Sequence, residues 1–160
     1  MVAMFTNQVE EIKAINKAMI ERNIDIVVRQ YDPETDSPRD VMSTHGYKAF
    51  DCIFYMENIS GSKNYLDDIR TLGRMCKQGG SVTISFMLDK SGKDPHHTKA
   101  FCYDDLRTGV MQVANSVGLV LNEPPEFIDE SWGSTVPALM FFHKICPCDN
   151  PSQELNICSM

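Results

Sequence analysis

The stretch Phe50-Asp51-Cys52-Ile53-Phe54-Tyr55-Met56-Glu57-Asn58-Ile59 decides the fold. Its apolar, β-prone run ends in an acidic residue, which predicts a buried strand over 50–56. The following segment has apolar residues at helical intervals, and Gly79-Gly80 is expected to end this helix because glycine tolerates the left-handed conformation. A second strand is predicted over 81–88, where apolar residues alternate with small or polar ones. This order of strand, helix and strand indicates a parallel sheet covered by helices.

The same alternation continues on both sides of this stretch. Short strands are predicted over 1–5 and 24–28, and the helix between them is expected to bury one stripe of side chains: Val9, Ile12, Ile15, Met19 and Ile20. Two prolines and four acidic residues predict a loop over 31–46, with a short turn of helix as the alternative within it. A helix over about 103–117 and strands beginning at Leu119 and Val136 complete the pattern. We therefore expect one partial domain over residues 1–145 and a flexible tail over 146–160.

The composition is that of a globular protein, with 42% hydrophobic and 23% charged residues among 160. A net charge of -7 and scattered basic residues argue against a nucleic-acid partner. No apolar run approaches the roughly 20 residues of a membrane span, and the N-terminus has no secretory pattern. The six cysteines suit a reducing compartment, and Cys146 and Cys148 lack the usual zinc spacing. These features predict a cytoplasmic protein without a metal site, whose partner is a small molecule.

The central motifs resemble those of class I S-adenosylmethionine-dependent methyltransferases. The stretch over 50–59 is similar to the fourth strand of that fold, in which a Phe-Asp pair leads into a hydrophobic run and an acidic residue. The stretch Leu72-Gly73-Arg74-Met75-Cys76-Lys77-Gln78-Gly79-Gly80-Ser81-Val82 resembles the approach to the fifth strand, with Gln78 where proline is usual. Residues 27–33 resemble the third strand and residues 2–8 the second. The resemblance implies an α/β fold: a three-layer Rossmann-like sheet, mostly parallel, with an antiparallel C-terminal strand.

The first strand of the family and its Gly-x-Gly loop have no counterpart in this order of motifs. Those glycines let the backbone approach the cofactor closely. In the complete fold the first strand lies between the second and the fourth, so its absence exposes strand edges whose backbone groups need partners. The sheet must close up, reorder or borrow a strand. A homodimer or a partner chain could complete it, and Met1–Phe5 could itself fill the gap.

Four residues are candidates for binding the cofactor, S-adenosyl-L-methionine, that the resemblance implies. Asn7 stands near the position where the family has an acid that bonds the ribose hydroxyls, and Asp32 near the position that faces the adenine. Tyr55 and Met56 follow at the carboxyl end of the next strand, where ligands of open α/β sheets bind. Asp32 could instead belong only to a turn, and Met56 to the core.

Two residues are candidates for catalysis. Glu57 could accept a proton from a substrate hydroxyl or amine, and His96 lies in a loop from which methyltransferases often reach their substrate. Glu57 could instead be an acid that only favours the start of a helix, and His96 could be an exposed loop histidine without a catalytic role.

The sequence therefore favours methyl transfer to a small-molecule acceptor. The alternative is a non-catalytic relative, an interaction module that kept the sheet and lost cofactor binding. A third and more distant possibility is an unrelated flavodoxin-like domain that begins with the strand over 1–5.

Overall fold

The predicted strand over 50–56 forms, together with strands and helices on both sides of it. The computed structural model describes residues 1–91, 100–121, 123–127 and 134–145. The strands are β1 (Val2–Phe5), β2 (Val28–Tyr31), β3 (Phe50–Tyr55), β4 (Cys76–Asp89), β5 (Leu119–Leu121), β6 (Glu126–Phe127) and β7 (Thr135–Lys144). The helices are α1 (Val9–Glu21), α2 (Pro38–His45), α3 (Tyr65–Met75) and α4 (Met111–Ser116), with a 3₁₀ turn at Ile59–Gly61 and a π-helical segment at Asp105–Val110. The predicted flexible tail over 146–160 lies outside the described residues.

The strands form one sheet in the order β2-β1-β3-β4-β7-β5, and β6 pairs with β7. The pairs β1–β2, β1–β3 and β3–β4 are parallel, while β7 is antiparallel to β4, β5 and β6. Only β7 therefore runs against the other strands of the described sheet. The predicted fold class, a mostly parallel Rossmann-like sheet with an antiparallel C-terminal strand, is confirmed.

The sheet is closed at the place where the family has its first strand. Strand β1 pairs in parallel on both sides, so that Val2 stands opposite Val28 on β2 and opposite Cys52 on β3. Its N-terminal ammonium group also donates to the Asp51 carboxylate. The described residues show β1 paired directly with β3, so these two strands leave no open edge between them. A partner strand elsewhere in the sheet stays a prediction.

The main core lies on one face of the sheet. Phe5, Tyr55, Ile84 and Met140 occupy one row across β1, β3, β4 and β7, and all four are buried. They belong to one apolar cluster with side chains from α2, α3 and α4. Right-handed crossovers place these three helices on that face, because β2, β3 and β4 each lead to a strand farther along the sheet in the same direction. The crossover from β1 to β2 runs in the opposite direction, so α1 lies on the other face.

The predicted buried stripe of α1 is the clearest error of the sequence analysis. Ile12 is buried, but Val9 and Ile15 are exposed and Ile20 is 75% exposed. Ile12 also lies outside the main core cluster. The predicted strand over 24–28 begins only at Val28. Both errors have one cause: β2 is an edge strand, and no second helix in the described part of the chain packs beside α1.

The end of α3 and the extent of α2 also differ from the prediction. Helix α3 ends at Met75, and β4 begins at Cys76 and runs through Gly79-Gly80. Residues 31–46, predicted to be a loop, contain α2. Its N-cap is Ser37, whose hydroxyl accepts the Asp40 N–H at 3.2 Å while the Asp40 carboxylate accepts the Ser37 N–H at 3.3 Å. A proline at the first turn and this reciprocal capping box start the helix.

We expect Ser37→Ala to lower the free energy of unfolding by about 1 kcal/mol, because the substitution leaves first-turn N–H groups without an acceptor. Ser43→Ala is the matched control: Ser43 lies inside α2 and only donates to the Asp40 carbonyl. Its effect should stay within about 0.5 kcal/mol. Urea denaturation followed by circular dichroism measures both, and equal effects would mean that Ser37 is not the cap.

Candidate functional site

A cavity of about 460 Å³ opens at the carboxyl ends of β1, β2 and β3. The chain crosses from β1 to β2 in one direction and from β3 to β4 in the other, so the order of strands reverses between β1 and β3. Open α/β sheets bind ligands at such a switch point, because the loops that follow the two strands diverge there. The topology therefore places the cavity where this class of sheet binds its ligands.

Four of the six predicted site residues line this one cavity. Asn7 follows β1, Asp32 follows β2, Tyr55 ends β3 and Glu57 comes two residues later. The side chain of Met56 is 39% exposed and does not belong to the lining. His96 lies outside the described residues. The structure thus brings together one predicted catalytic residue and three predicted cofactor-binding residues.

Hydrogen bonds hold the loops after β1 and β3 together. The Asn7 N–H donates to Glu57 Oε1 at 3.1 Å, and the Met56 N–H donates to the Phe5 carbonyl at 2.9 Å. The Glu57 carboxylate is therefore oriented by the backbone of the neighbouring loop. This contact fixes one oxygen of the carboxylate at the switch point.

The loop after β2 combines the two alternatives that the sequence left open for Asp32. Its Oδ1 accepts the Glu34 N–H at 3.0 Å, which is the hydrogen bond of a tight Asx-type turn. Asp32 and Glu34 nevertheless both line the cavity, as does Ser37 at the start of α2. The turn presents these polar groups to the cavity.

Further polar residues of the cavity come from the segment that leads into α3: Asn58, Ser62, Asn64 and Asp68. Asp68 is not among the site residues that the sequence predicts. Its spacing does carry a signal, because Asp68, Leu72 and Met75 recur at intervals of four and three residues and so share one helix face. All three are buried. An acid on the apolar face of a helix was the clue to this part of the site.

The cavity is acidic. Four carboxylates line it, from Asp32, Glu34, Glu57 and Asp68, and the described residues of its lining include no lysine or arginine. Burial raises the pKa of Tyr55 to about 12, and the nearby charges of Asp68 and Glu57 add to the shift. Burial also raises the pKa of Asp68, although the hydrogen bond from Ser62 opposes this. A cavity walled by one sign of charge attracts ligands of the opposite sign.

A second cavity, of about 500 Å³, lies near the connection between β5 and β6. Its lining is more apolar and includes Leu106, Met111, Leu121 and Met140. None of the predicted site residues belongs to it. Among the described residues, no three His, Cys, Asp or Glu side chains are arranged to hold a metal ion, and no helix is long and apolar enough to cross a membrane.

No protein-family model and no curated protein sequence matches this chain. Solved structures do match it. The [4+2]-cyclase SpnF superposes with a TM-score of 0.54 at 13% identity, covering 90% of this chain and 66% of the cyclase. The 1,6-didemethyltoxoflavin-N1-methyltransferase of Burkholderia thailandensis, solved with S-adenosylhomocysteine, gives a TM-score of 0.56 at 11% identity over 91% of this chain and 71% of its own.

A third match is phosphoethanolamine N-methyltransferase 2 of Haemonchus contortus, solved with S-adenosyl-L-methionine. Its TM-score is 0.60 at 10% identity, over 91% of this chain and 48% of the enzyme. The chain therefore spans about half to 71% of the lengths of these three proteins. A likeness at such low identity shows the fold alone, and a shared fold does not fix the reaction. The chain has the Rossmann-like α/β fold of the methyltransferases.

Proposed function

We propose that the chain takes part in methyl transfer from S-adenosyl-L-methionine to a small-molecule acceptor. The observation that carries the proposal is the convergence of Asn7, Asp32, Tyr55 and Glu57 on one acidic cavity at the switch point of the sheet. The loops after β1, β2 and β3 and the end of β3 supply these residues, and the sequence predicts all four as site residues. Structural neighbours that are methyltransferases by name add the support of a shared fold.

The cavity suits the charge and size of the cofactor. A volume of about 460 Å³ lies within the range of about 300–1,000 Å³ that small-molecule sites occupy. The cofactor carries positive charge on its sulfonium and amino groups, and the cavity walls are negative. In this proposal the Asn7 amide binds the ribose hydroxyls of the cofactor, and the Asp32 carboxylate binds its adenine ring. The opposite end, toward α3, is left for the acceptor.

The cofactor supplies a methyl group that is already activated, so the residues of the chain mainly have to align the acceptor and exclude water. Glu57 is the proposed proton acceptor. Its Oε1 is held by the Asn7 N–H, which leaves Oε2 to face the acceptor. Tyr55 stays protonated at neutral pH, because its pKa is raised to about 12, and it can therefore donate a hydrogen bond.

One observation favours the second candidate, a non-catalytic module that has lost cofactor binding. Strand β1 pairs directly with β3 over its whole length, and the Asn7 N–H continues this connection to Glu57 beyond the strand ends. Neither a further strand nor a glycine-rich loop stands between the described strands β1 and β3. A module of this kind would keep the sheet and an acidic cavity without the backbone cradle of the cofactor.

The remaining expectations belong to the same proposal. We place the protein in the cytosol with a small-molecule partner, and we propose that a second copy or another chain completes the sheet. The chain spans only part of the length of its structural neighbours.

Isothermal titration calorimetry with S-adenosylhomocysteine tests the proposal. We expect micromolar binding by the unmodified chain, and S-adenosylmethionine should bind more tightly because its sulfonium charge meets the acidic walls. Asp32→Asn should weaken binding about tenfold, the loss of one charge-assisted hydrogen bond. No heat up to millimolar ligand, from a folded sample, would reject cofactor binding and leave the module.

Asp36→Asn is the matched control for Asp32→Asn. Asp36 is an exposed acid of the same loop and does not line the cavity. Both substitutions remove one negative charge from the loop, so a general electrostatic effect would appear in both. If they weaken binding equally, Asp32 does not contact the ligand.

A further inference from the structure

The end of the cavity that faces α3 contains two deeply buried polar side chains with free hydrogen-bonding capacity. Tyr55 is 5% exposed and lines the cavity, and its hydroxyl has no hydrogen-bond partner among the described residues. Asp68 is 8% exposed and lines the same end. Its Oδ2 accepts the Ser62 hydroxyl at 2.7 Å, while no described residue donates to Oδ1. Neither oxygen is sealed from the cavity, so a ligand that enters it can take up both hydrogen bonds.

No cation among the described residues pairs with the carboxylates at this end. Glu57 and Asp68 both lie close enough to Tyr55 to act on its hydroxyl electrostatically. The nearest arginine of the same helix, Arg70, pairs instead with the outward-facing Asp67 at 3.4 Å. A carboxylate removed from water without a cation is costly. A ligand that brings a positive charge would remove this cost.

We propose that Tyr55, Glu57, Ser62 and Asp68 form a subsite for an organic ammonium ion, and that the methyl acceptor is therefore a primary or secondary amine. This assignment rests on the proposed function and names the acceptor class of the same cavity. A primary ammonium group donates N–H bonds to Asp68 Oδ1, Glu57 Oε2 and the Tyr55 oxygen, and a secondary ammonium group, which has two N–H groups, donates to the two carboxylates. A neutral alcohol of the same shape cannot neutralise the carboxylates, and an anion is repelled by them.

The transfer balances with these groups. The bound ammonium first gives one proton to a carboxylate, Glu57 or Asp68, which frees the nitrogen lone pair. That lone pair forms the new N–CH₃ bond as the S–CH₃ bond of the sulfonium breaks, and the electron pair of the broken bond stays on sulfur as a thioether. The products are an N-methylated ammonium ion, S-adenosylhomocysteine and the proton that the carboxylate releases to water.

Calorimetry with two probes of one shape tests the subsite. Benzylamine is protonated at neutral pH, as lysine is, whereas benzyl alcohol is neutral. We expect benzylamine to bind the unmodified chain at least tenfold more tightly than benzyl alcohol. Equal affinity of the two probes, or binding of neither, overturns the subsite.

Variants locate the binding within the cavity. Asp68→Asn should weaken benzylamine binding about tenfold to a hundredfold, as expected for the loss of a charged hydrogen-bond partner, and Tyr55→Phe about threefold to tenfold. Asp67→Asn is the matched control, because it removes the same charge from the next residue, whose carboxylate lies outside the cavity. Equal losses in Asp67→Asn and Asp68→Asn overturn the assignment. Tyr55→Phe keeps the test decisive if the Asp68 variant does not fold.

Titrations in the presence of saturating S-adenosylhomocysteine separate acceptor from cofactor as the source of the cation. Unchanged benzylamine affinity supports the acceptor assignment. Displacement of benzylamine overturns it, because the subsite would then hold the cationic part of the cofactor. If S-adenosylhomocysteine gives no heat while benzylamine still binds in an Asp68-dependent way, the proposed function fails and the ammonium subsite stands.

Discussion

We expect Gly73→Ala to lower the free energy of unfolding by about 3 kcal/mol, within the range of overpacking substitutions. A Cβ atom at Gly73 would lie 2.3 Å from Val117 Cγ2, 3.0 Å from Val117 Cβ and 3.2 Å from Leu119 Cδ1. These contacts are shorter than packed carbon atoms allow, and both neighbours are buried where α4 leads into β5. Helix α3 must therefore move away from the turn. The higher helix propensity of alanine, about 1 kcal/mol, is too small to offset this movement.

A buried lysine makes such a movement more costly. Lys144 Nζ donates to the Gly73 carbonyl at 2.7 Å and also to the Val117 carbonyl. Gly73 lies in the last turn of α3, and Val117 immediately follows α4, so one ammonium group serves carbonyls at two helix ends. A shift of α3 lengthens the first of these bonds and leaves a buried acceptor poorly satisfied.

Gly109→Ala is the matched control, since its Cβ would meet only Leu66 Cδ2 at an ordinary 3.6 Å. We expect its effect to stay within about 0.5 kcal/mol. Urea denaturation at pH 7, followed by circular dichroism, measures the two variants beside the unmodified chain. A Gly73→Ala protein as stable as the control would contradict the close approach of α3 to the α4–β5 turn.

The central part of the fold was predictable because its signals are local. Alternating apolar residues in β4 and the dense apolar run of β3 identify strands from a few neighbouring residues. The residues that follow parallel strands all lie at one edge of the sheet, which is why the candidates Asn7, Asp32 and Glu57, predicted from strand ends together with the family resemblance, line one cavity. Their roles in binding and catalysis stay predictions.

What could not be predicted depends on distant partners. The apolar stripe of α1 has the same period whether or not a neighbour covers it, so the exposure of Ile20 has no local signal. Strands β1 and β3 pair although about fifty residues separate them in the sequence, and strand sequences alone do not specify which strands become neighbours. The capping box of α2 was readable in Ser37 and Asp40, but two prolines and the acidic residues obscured it.

Cys76 leads to a second large effect, a loss of stability at alkaline pH. Its side chain is fully buried where α3 passes into β4. Burial raises the pKa of the thiol from an ordinary 9.0 to about 11, and the nearby Lys144 charge opposes only part of this shift. The folded-state pKa thus exceeds the unfolded one. The associated stability is fully present below pH 9 and is lost as the pH rises through about 11, because the unfolded chain releases the proton first.

The shift of two pKa units corresponds to about 3 kcal/mol. We expect the free energy of unfolding of the unmodified chain to fall by about 2 kcal/mol relative to Cys76→Ala between pH 8 and pH 11, because the rest of the effect is lost only above pH 11. Urea denaturation under reducing conditions measures it. The alanine variant starts lower at pH 8, because it loses packing, and the two curves approach each other as the pH rises. Burial lowers the pKa of Lys144, which makes stability rise with pH in both proteins, and the Cys76 charge opposes this lowering only in the unmodified chain.

Cys52→Ala separates the titration of Cys76 from a general effect of removing a thiol. Cys52 is only half-buried on β3, where its sulfur accepts the Ser81 hydroxyl at 3.4 Å. This variant should keep the alkaline loss of the unmodified chain, because Cys76 is still in place. If the free energies of unfolding of Cys76→Ala and the unmodified chain change in parallel from pH 8 to pH 11, the Cys76 thiol ionises as easily in the folded chain as in the unfolded one. Such a result would contradict its burial beneath the α3–β4 junction, and with it the tight packing that the Gly73 prediction also requires on α3.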